Sequence, residues 1–168
     1  MQFLPNYKST LRGLDLKRYE ELVNLCDGKD PYSFNFESGS NAEDLVPKVN
    51  IGHILYYLIN STRSVTLTSF SKYKATEAYK FSYAGFVKGV QFFELPEDKI
   101  LCLGRVRHSQ SMNLAPLKCW CLLKRDGDVL AGWCNCVAGR SESCSHVGAL
   151  LYNLEWAKTE IDRQWLHK

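Results

Sequence analysis

The spacing of apolar positions changes along the chain, and each change marks an element. In the first 30 residues Leu14, Leu22 and Leu25 alternate with Lys17, Arg18 and Glu21 in a mixed amphipathic pattern. This predicts one short helix that ends near Asp27-Gly28. Residues 31–44, PYSFNFESGSNAED, cluster Pro, Gly, Ser, Asn and Asp and read as a loop. A second helix is expected from Val49 to Asn60, rich in Ile, Leu and Tyr and therefore expected to be buried. A third is expected over residues 72–80, capped by Ser69 or Ser71. From Ser82 the period shortens to that of strands. Residues 84–94 and 99–108 form two runs around the turn Leu95-Pro96-Glu97-Asp98. Residues 118–124 and 129–134 flank Arg125-Asp126-Gly127-Asp128, and Asp-Gly between apolar runs tolerates the positive φ of a tight hairpin. The last segment returns to helical spacing. Val147, Leu150, Leu151, Leu154, Ile161 and Trp165 fall on one stripe, with the helix start near Ser143 or Cys144.

These elements predict an α+β fold: N-terminal helices, a four-stranded antiparallel meander, and a C-terminal ββα unit. The loop at 31–44 divides an N-terminal helical extension, residues 1–45, from the main domain, residues 46–168. No apolar run approaches the roughly 18 residues of a membrane span. The longest, Ile51–Ile59, is interrupted by His53, and the N-terminus lacks a signal-peptide pattern. The expectation is a soluble chain, nuclear or cytoplasmic and not secreted, with no membrane partner and no small-molecule substrate.

Cysteine supplies the chemistry. Seven is an odd number, which argues against a closed disulfide framework, and four of the seven fall in two C-x-C pairs. From 134 the chain reads CNCVAGRSESCSH, which is Cys-x-Cys, seven residues, then Cys-x-His. A tetrahedral zinc takes four such ligands, with sulfur at about 2.3 Å and imidazole nitrogen at about 2.0–2.1 Å. Cys134 and Cys136 end a strand, Gly139 lets the chain reverse, and Cys144 and His146 arrive where a helix begins. The expected cofactor is one structural Zn2+ held by Cys134, Cys136, Cys144 and His146. Three thiolates and one imidazole leave that complex at a formal −1, which Arg140 and the free N–H groups of the helix start would partly offset.

The C-x-C…C-x-H pattern resembles the SWIM-type zinc finger, and these four residues match all four of its positions. CVAGRSESCSHVGALLYNL, the upstream YKATEAYKFSYAGFVKGV, and RVRHSQSMNLAPLKCW are similar to SWIM regions that accompany YqaJ-type, lambda-exonuclease-like viral recombinase domains in animal genomes. The resemblance covers roughly residues 70–155 and places the finger at about 117–158. It implies a DNA-binding or protein-interaction module, of the kind found in transposases, recombination factors, chromatin proteins and ubiquitin-ligase adaptors. In the recombinase-linked group a nuclease domain follows the finger.

Charge adds a direction. Residues 63–140 carry 12 Lys+Arg against 6 Asp+Glu, whereas residues 1–62 carry 6 against 8 and residues 141–168 carry 3 against 4. A basic middle segment suits an anionic partner, DNA first. The residues expected to meet it are Lys88, Arg105, Arg107, Lys118, Lys124, Arg125 and Arg140. Tyr73, Tyr79, Tyr83, Trp120 and Trp133 stand as stacking partners or as core. Cys119 and Cys121 share a strand face with Leu123 and read as core; Cys26 and Cys102 read as buried thiols, and His53 and His108 as isolated. Catalysis is not expected. A four-ligand metal site is closed to substrate, and the carboxylates Asp126 and Asp128 belong to a turn. The leading expectation is a DNA-binding module that targets a recombinase- or transposase-like machine. The alternative is a protein-interaction adaptor using the zinc-held final helix, around Trp156 and Trp165.

Overall fold

The computed structural model describes residues 1–61, 85–108, 114–136 and 142–166. Within them the chain is α+β. Helices α1 (Gly13–Leu25) and α2 (Ile51–Asn60) precede strands β1 (Val87–Leu95), β2 (Lys99–Val106), β3 (Leu117–Lys124) and β4 (Val129–Cys134). Helix α3 (Ser145–Leu166) closes the sequence. The sheet is an antiparallel meander in the order β1-β2-β3-β4. The expected helix at 72–80, with Tyr73, Tyr79 and Tyr83, lies outside the described residues, as does Arg140.

Local chemistry accounts for the turns. α1 ends where Asp27 and Gly28 both take positive φ. The β1–β2 connection uses Glu97 and Asp98 at φ 67° and 57°. The β3–β4 turn uses Gly127 at φ 111°, closed by Gly127 N–H to Lys124 O (3.0 Å) and Lys124 N–H to Asp128 O (2.9 Å). Asn50 caps α2. Its side chain accepts from His53 N–H, while His53 Nδ1 accepts from Asn50 N–H, so the histidine that the sequence leaves isolated completes a capping box.

The strands alternate, but both faces are covered. Ile100, Cys102, Val106, Cys119, Cys121 and Leu123 pack against α2 and α3. Leu101, Leu103, Trp120, Leu122, Ala131 and Trp133 pack against Phe3, Leu11, Tyr19, Leu22, Tyr32 and Phe36. Residues 1–36 therefore form a third layer; the 31–44 segment adds short 3-10 turns at Pro31–Ser33 and Phe36–Ser38 to this side, whereas the turn at Glu43–Leu45 carries Leu45 into the opposite core. Two covered faces explain why β2 and β3 read as near-continuous apolar runs. They also decide the two tryptophans. Trp120 and Trp133 are fully buried, and Trp133 Nε1 donates to Tyr7 Oη at 2.8 Å.

Two helices depart from expectation. α2 buries only Ile54, Tyr57 and Leu58; Ile51, Leu55, Tyr56 and Ile59 are exposed, because the helix meets the sheet with one side only. On α3 the stripe is buried from Val147 to Leu154, but Trp165 is 66% exposed because its turn lies beyond the core. Among the described residues no helix is long and apolar enough to cross a membrane.

Candidate metal centre

β4 runs to Cys134, and Cys136 follows two residues later. Cys144 immediately precedes α3, and His146 sits in its first turn. The three sulfurs and the imidazole nitrogen lie within 4.8 Å of one another. A tetrahedron with arms of about 2.3 Å has edges of about 3.8 Å, and Cys144 Sγ stands 3.8 Å from His146 Nδ1. Cys134 and Cys144 are buried, while Cys136 and His146 are half-buried. A three-sulfur, one-nitrogen donor set at this spacing could hold a divalent ion of zinc's preferences.

The protons of the cluster are unevenly held. The Cys144 thiol is pushed well down by hydrogen bonds from Cys134 and Cys136 and by His146. Cys134 is pushed up, chiefly by burial, and Cys136 is pushed up by its bonds to Cys134 and Cys144. The arrangement thus favours ionisation at Cys144 over ionisation at Cys134 or Cys136. An entering cation would displace the remaining protons, so affinity should rise with pH. Cys119, directly opposite Cys134 across β3 and β4, is a fourth thiol, in hydrogen-bonding reach of Cys134. With Cys121 it is fully buried, as the shared face with Leu123 predicts.

Residues distant in sequence seat this segment. Glu142, 6% exposed, receives a bidentate bond from Arg18 of α1, with Nε–Oε2 at 2.9 Å and Nη2–Oε1 at 2.7 Å. The buried Tyr57 hydroxyl of α2 donates to the Glu142 carbonyl. Gly132 of β4 leaves room for both, since a Cβ there would meet Val147 Cγ1 at 2.8 Å, Tyr57 Oη at 3.0 Å and Glu142 O at 3.2 Å. Sequence reasoning missed Arg18, Tyr57 and Gly132. Nothing local marks them, because the Arg18–Glu142 pair spans 124 residues.

Compared with models of known protein families, with curated proteins and with solved structures, the chain matches none. The chemistry of the site therefore rests on its own residues.

The expected anion-binding residues fall into two groups. Lys88 pairs with Arg105 across β1 and β2, and Arg105 with Lys118 across β2 and β3. Directly opposed residues share a face, so these three cations form one row. It lies one step along from the rung Gly104–Cys119–Cys134 and therefore on the opposite face of the sheet, the face covered by residues 1–36. Arg107 follows at the same end, its N–H bonded to Phe86 O. The Arg105 guanidinium lies 4.2 Å from the Phe36 ring centroid and Lys118 Nζ 5.7 Å from that of Phe3. Burial, and then the charge of Arg105, lowers the Lys118 pKa. Lys124 and Arg125 lie at the opposite end of β3, about 20 Å from Lys118 at 3.3 Å per residue. Arg125 is also occupied by Glu94 (3.1 Å) and Asp98 (3.8 Å). One compact anion cannot span both groups.

Proposed function

We propose that this chain is a zinc-stapled, non-catalytic module that binds DNA and so targets an associated recombinase- or transposase-like machine. The observation that carries the DNA reading is the Lys88–Arg105–Lys118 row, at the same end of the sheet as the metal cluster but on its other face. Like charges placed directly opposite repel, and a phosphodiester backbone laid along the row would relieve that repulsion. The resemblance of Cys134, Cys136, Cys144 and His146 to the SWIM pattern supports the same reading, and four protein ligands leave the metal no open position for chemistry. With Arg107 the row offers about four phosphate contacts, for which log Kd against log salt should have a slope of magnitude near 3.6 for duplex DNA. Salt-titrated binding to single- and double-stranded DNA tests this. Lys88→Gln and Arg107→Gln should each reduce the slope by about 0.9, whereas Lys124→Gln should leave it unchanged. Negligible binding at low salt refutes the DNA reading.

A second reading, the protein-interaction adaptor, draws on exposed apolar surface. Ile51, Leu55, Tyr56 and Ile59 line one side of α2, and Trp156 (62% exposed), Trp165 and Leu166 project from α3. It gains ground if nucleic acid fails to bind.

A further inference from the structure

We infer that Arg18 and Tyr57 are positioning residues for the metal site, so that metal occupancy and docking of the N-terminal layer are coupled. This rests on the metal reading of the Cys134–Cys136–Cys144–His146 cluster. Among the described residues β4 is an edge strand of the sheet, and Glu142 O and Val147 lie against its Gly132. Arg18 belongs to the layer that covers Leu103, Trp120 and Trp133, whereas Tyr57 belongs to the layer that covers Cys102, Cys119 and Cys121. Both reach the same residue. Arg18 holds the Glu142 carboxylate through two bonds, and Tyr57 holds its carbonyl.

Glu142 stands two residues before Cys144. Its carbonyl is fixed by Tyr57 and its backbone lies against Gly132, so little freedom is left in the direction from which Cys144 and His146 approach. Cys134 is fixed independently, as the last residue of β4, paired with Cys119. A tetrahedral site needs these two halves brought to within a bond length of one ion. The ordering that Arg18 and Tyr57 supply before the metal arrives is ordering the metal need not impose. Groups outside the ligand set that orient ligands in this way change metal affinity about 10–100-fold when removed. Linkage makes the effect reciprocal: an ion that draws Cys144 into the cluster holds Glu142 where Arg18 can reach it, and so holds α1 on the sheet.

The test uses the full chain and Zn2+ itself. Competition against a chromophoric chelator should show Arg18→Met and Tyr57→Phe each weakening zinc binding by about 10-fold. The charge-reversed pair Arg18→Glu/Glu142→Arg should recover most of what Arg18→Glu alone loses. A purely structural contact would lower thermal stability equally with and without zinc and leave the zinc Kd unchanged. Should a variant fail to fold, hydrogen exchange on the unaltered chain decides the matter. Removing zinc should accelerate exchange across Gly13–Leu25, a helix that carries none of the four ligands. Zinc affinities within twofold of the parent in both single variants, or exchange in α1 indifferent to zinc, would overturn the coupling while leaving the metal site standing. A parent chain that takes up no zinc would overturn the metal reading itself, and the coupling with it.

Discussion

The methyl group missing at Gly132 gives the sharpest test of how the metal segment is seated. In Gly132→Ala the new Cβ meets Val147 Cγ1 at 2.8 Å, Tyr57 Oη at 3.0 Å and Glu142 O at 3.2 Å. None of these yields easily. Val147 is β-branched and fully buried, the Tyr57 hydroxyl is tied to the Glu142 carbonyl, and that carbonyl is backbone. Overpacking of this kind costs about 2–3 kcal/mol. Replacing Gly by Ala returns about 0.5 kcal/mol through the unfolded chain, so the net loss is about 2 kcal/mol. For a chain of this length that lowers Tm by about 4–8 °C. Gly104→Ala is the internal control. Its Cβ would meet Leu150 Cδ1 at 2.6 Å, but its three nearest contacts are all side-chain atoms of that one unbranched-Cβ residue, and none is backbone. A clash of about 1 kcal/mol, less the same gain, predicts a Tm change of about 1–2 °C. Thermal unfolding in the presence of Zn2+, followed by circular dichroism, measures both. If Gly132→Ala is as mild as Gly104→Ala, the segment 142–147 does not lie against β4 and the account of its seating fails.

Three further outcomes follow from the structure. Cys144→Ser or His146→Ala should abolish stoichiometric zinc and lower helical content, because Cys144 abuts the first turn of α3 and His146 lies in it; a variant that kept one bound zinc and full helicity would contradict this. Asn50→Ala removes the acceptor for His53 N–H and should cost about 1 kcal/mol, read as a shifted urea midpoint with an unchanged m-value. Burial pushes the Cys26 thiol from 9.0 up to about 12, so the folded state favours its neutral form. That contribution is complete below the unfolded pKa and is lost as pH rises from about 9 towards 12. Cys26→Ala should therefore show a shallower loss of stability over this range, and identical slopes would refute the assignment.

Much of the fold was legible because its determinants are local. Asp27-Gly28, Glu97-Asp98 and Asp126-Gly127 mark chain reversals through the φ values those residues tolerate, and β4 begins and ends where alternation and the Cys-x-Cys pair place it. The four clustered donors were legible for the same reason: their spacing along 13 residues fixes which side chains can converge. Burial was less legible where it depended on what lies opposite. α2 has an apolar composition on every side, and no periodicity says that only Ile54, Tyr57 and Leu58 meet the core. Trp165 keeps the phase of Val147 and Leu154, but phase does not reveal where the sheet stops.

The sequence by itself determined the order of elements, the meander and the Cys/His donor set, because each follows from short-range periodicity, turn chemistry or ligand spacing. Tertiary structure alone decided that residues 1–36 cover one face of the sheet, burying Trp120 and Trp133. It also divided the cations between the two ends of β3 and brought Arg18 to Glu142. These depend on strand register and on contacts between residues as far as 126 positions apart. Such contacts are set by how whole layers pack, and no local stretch of residues encodes that.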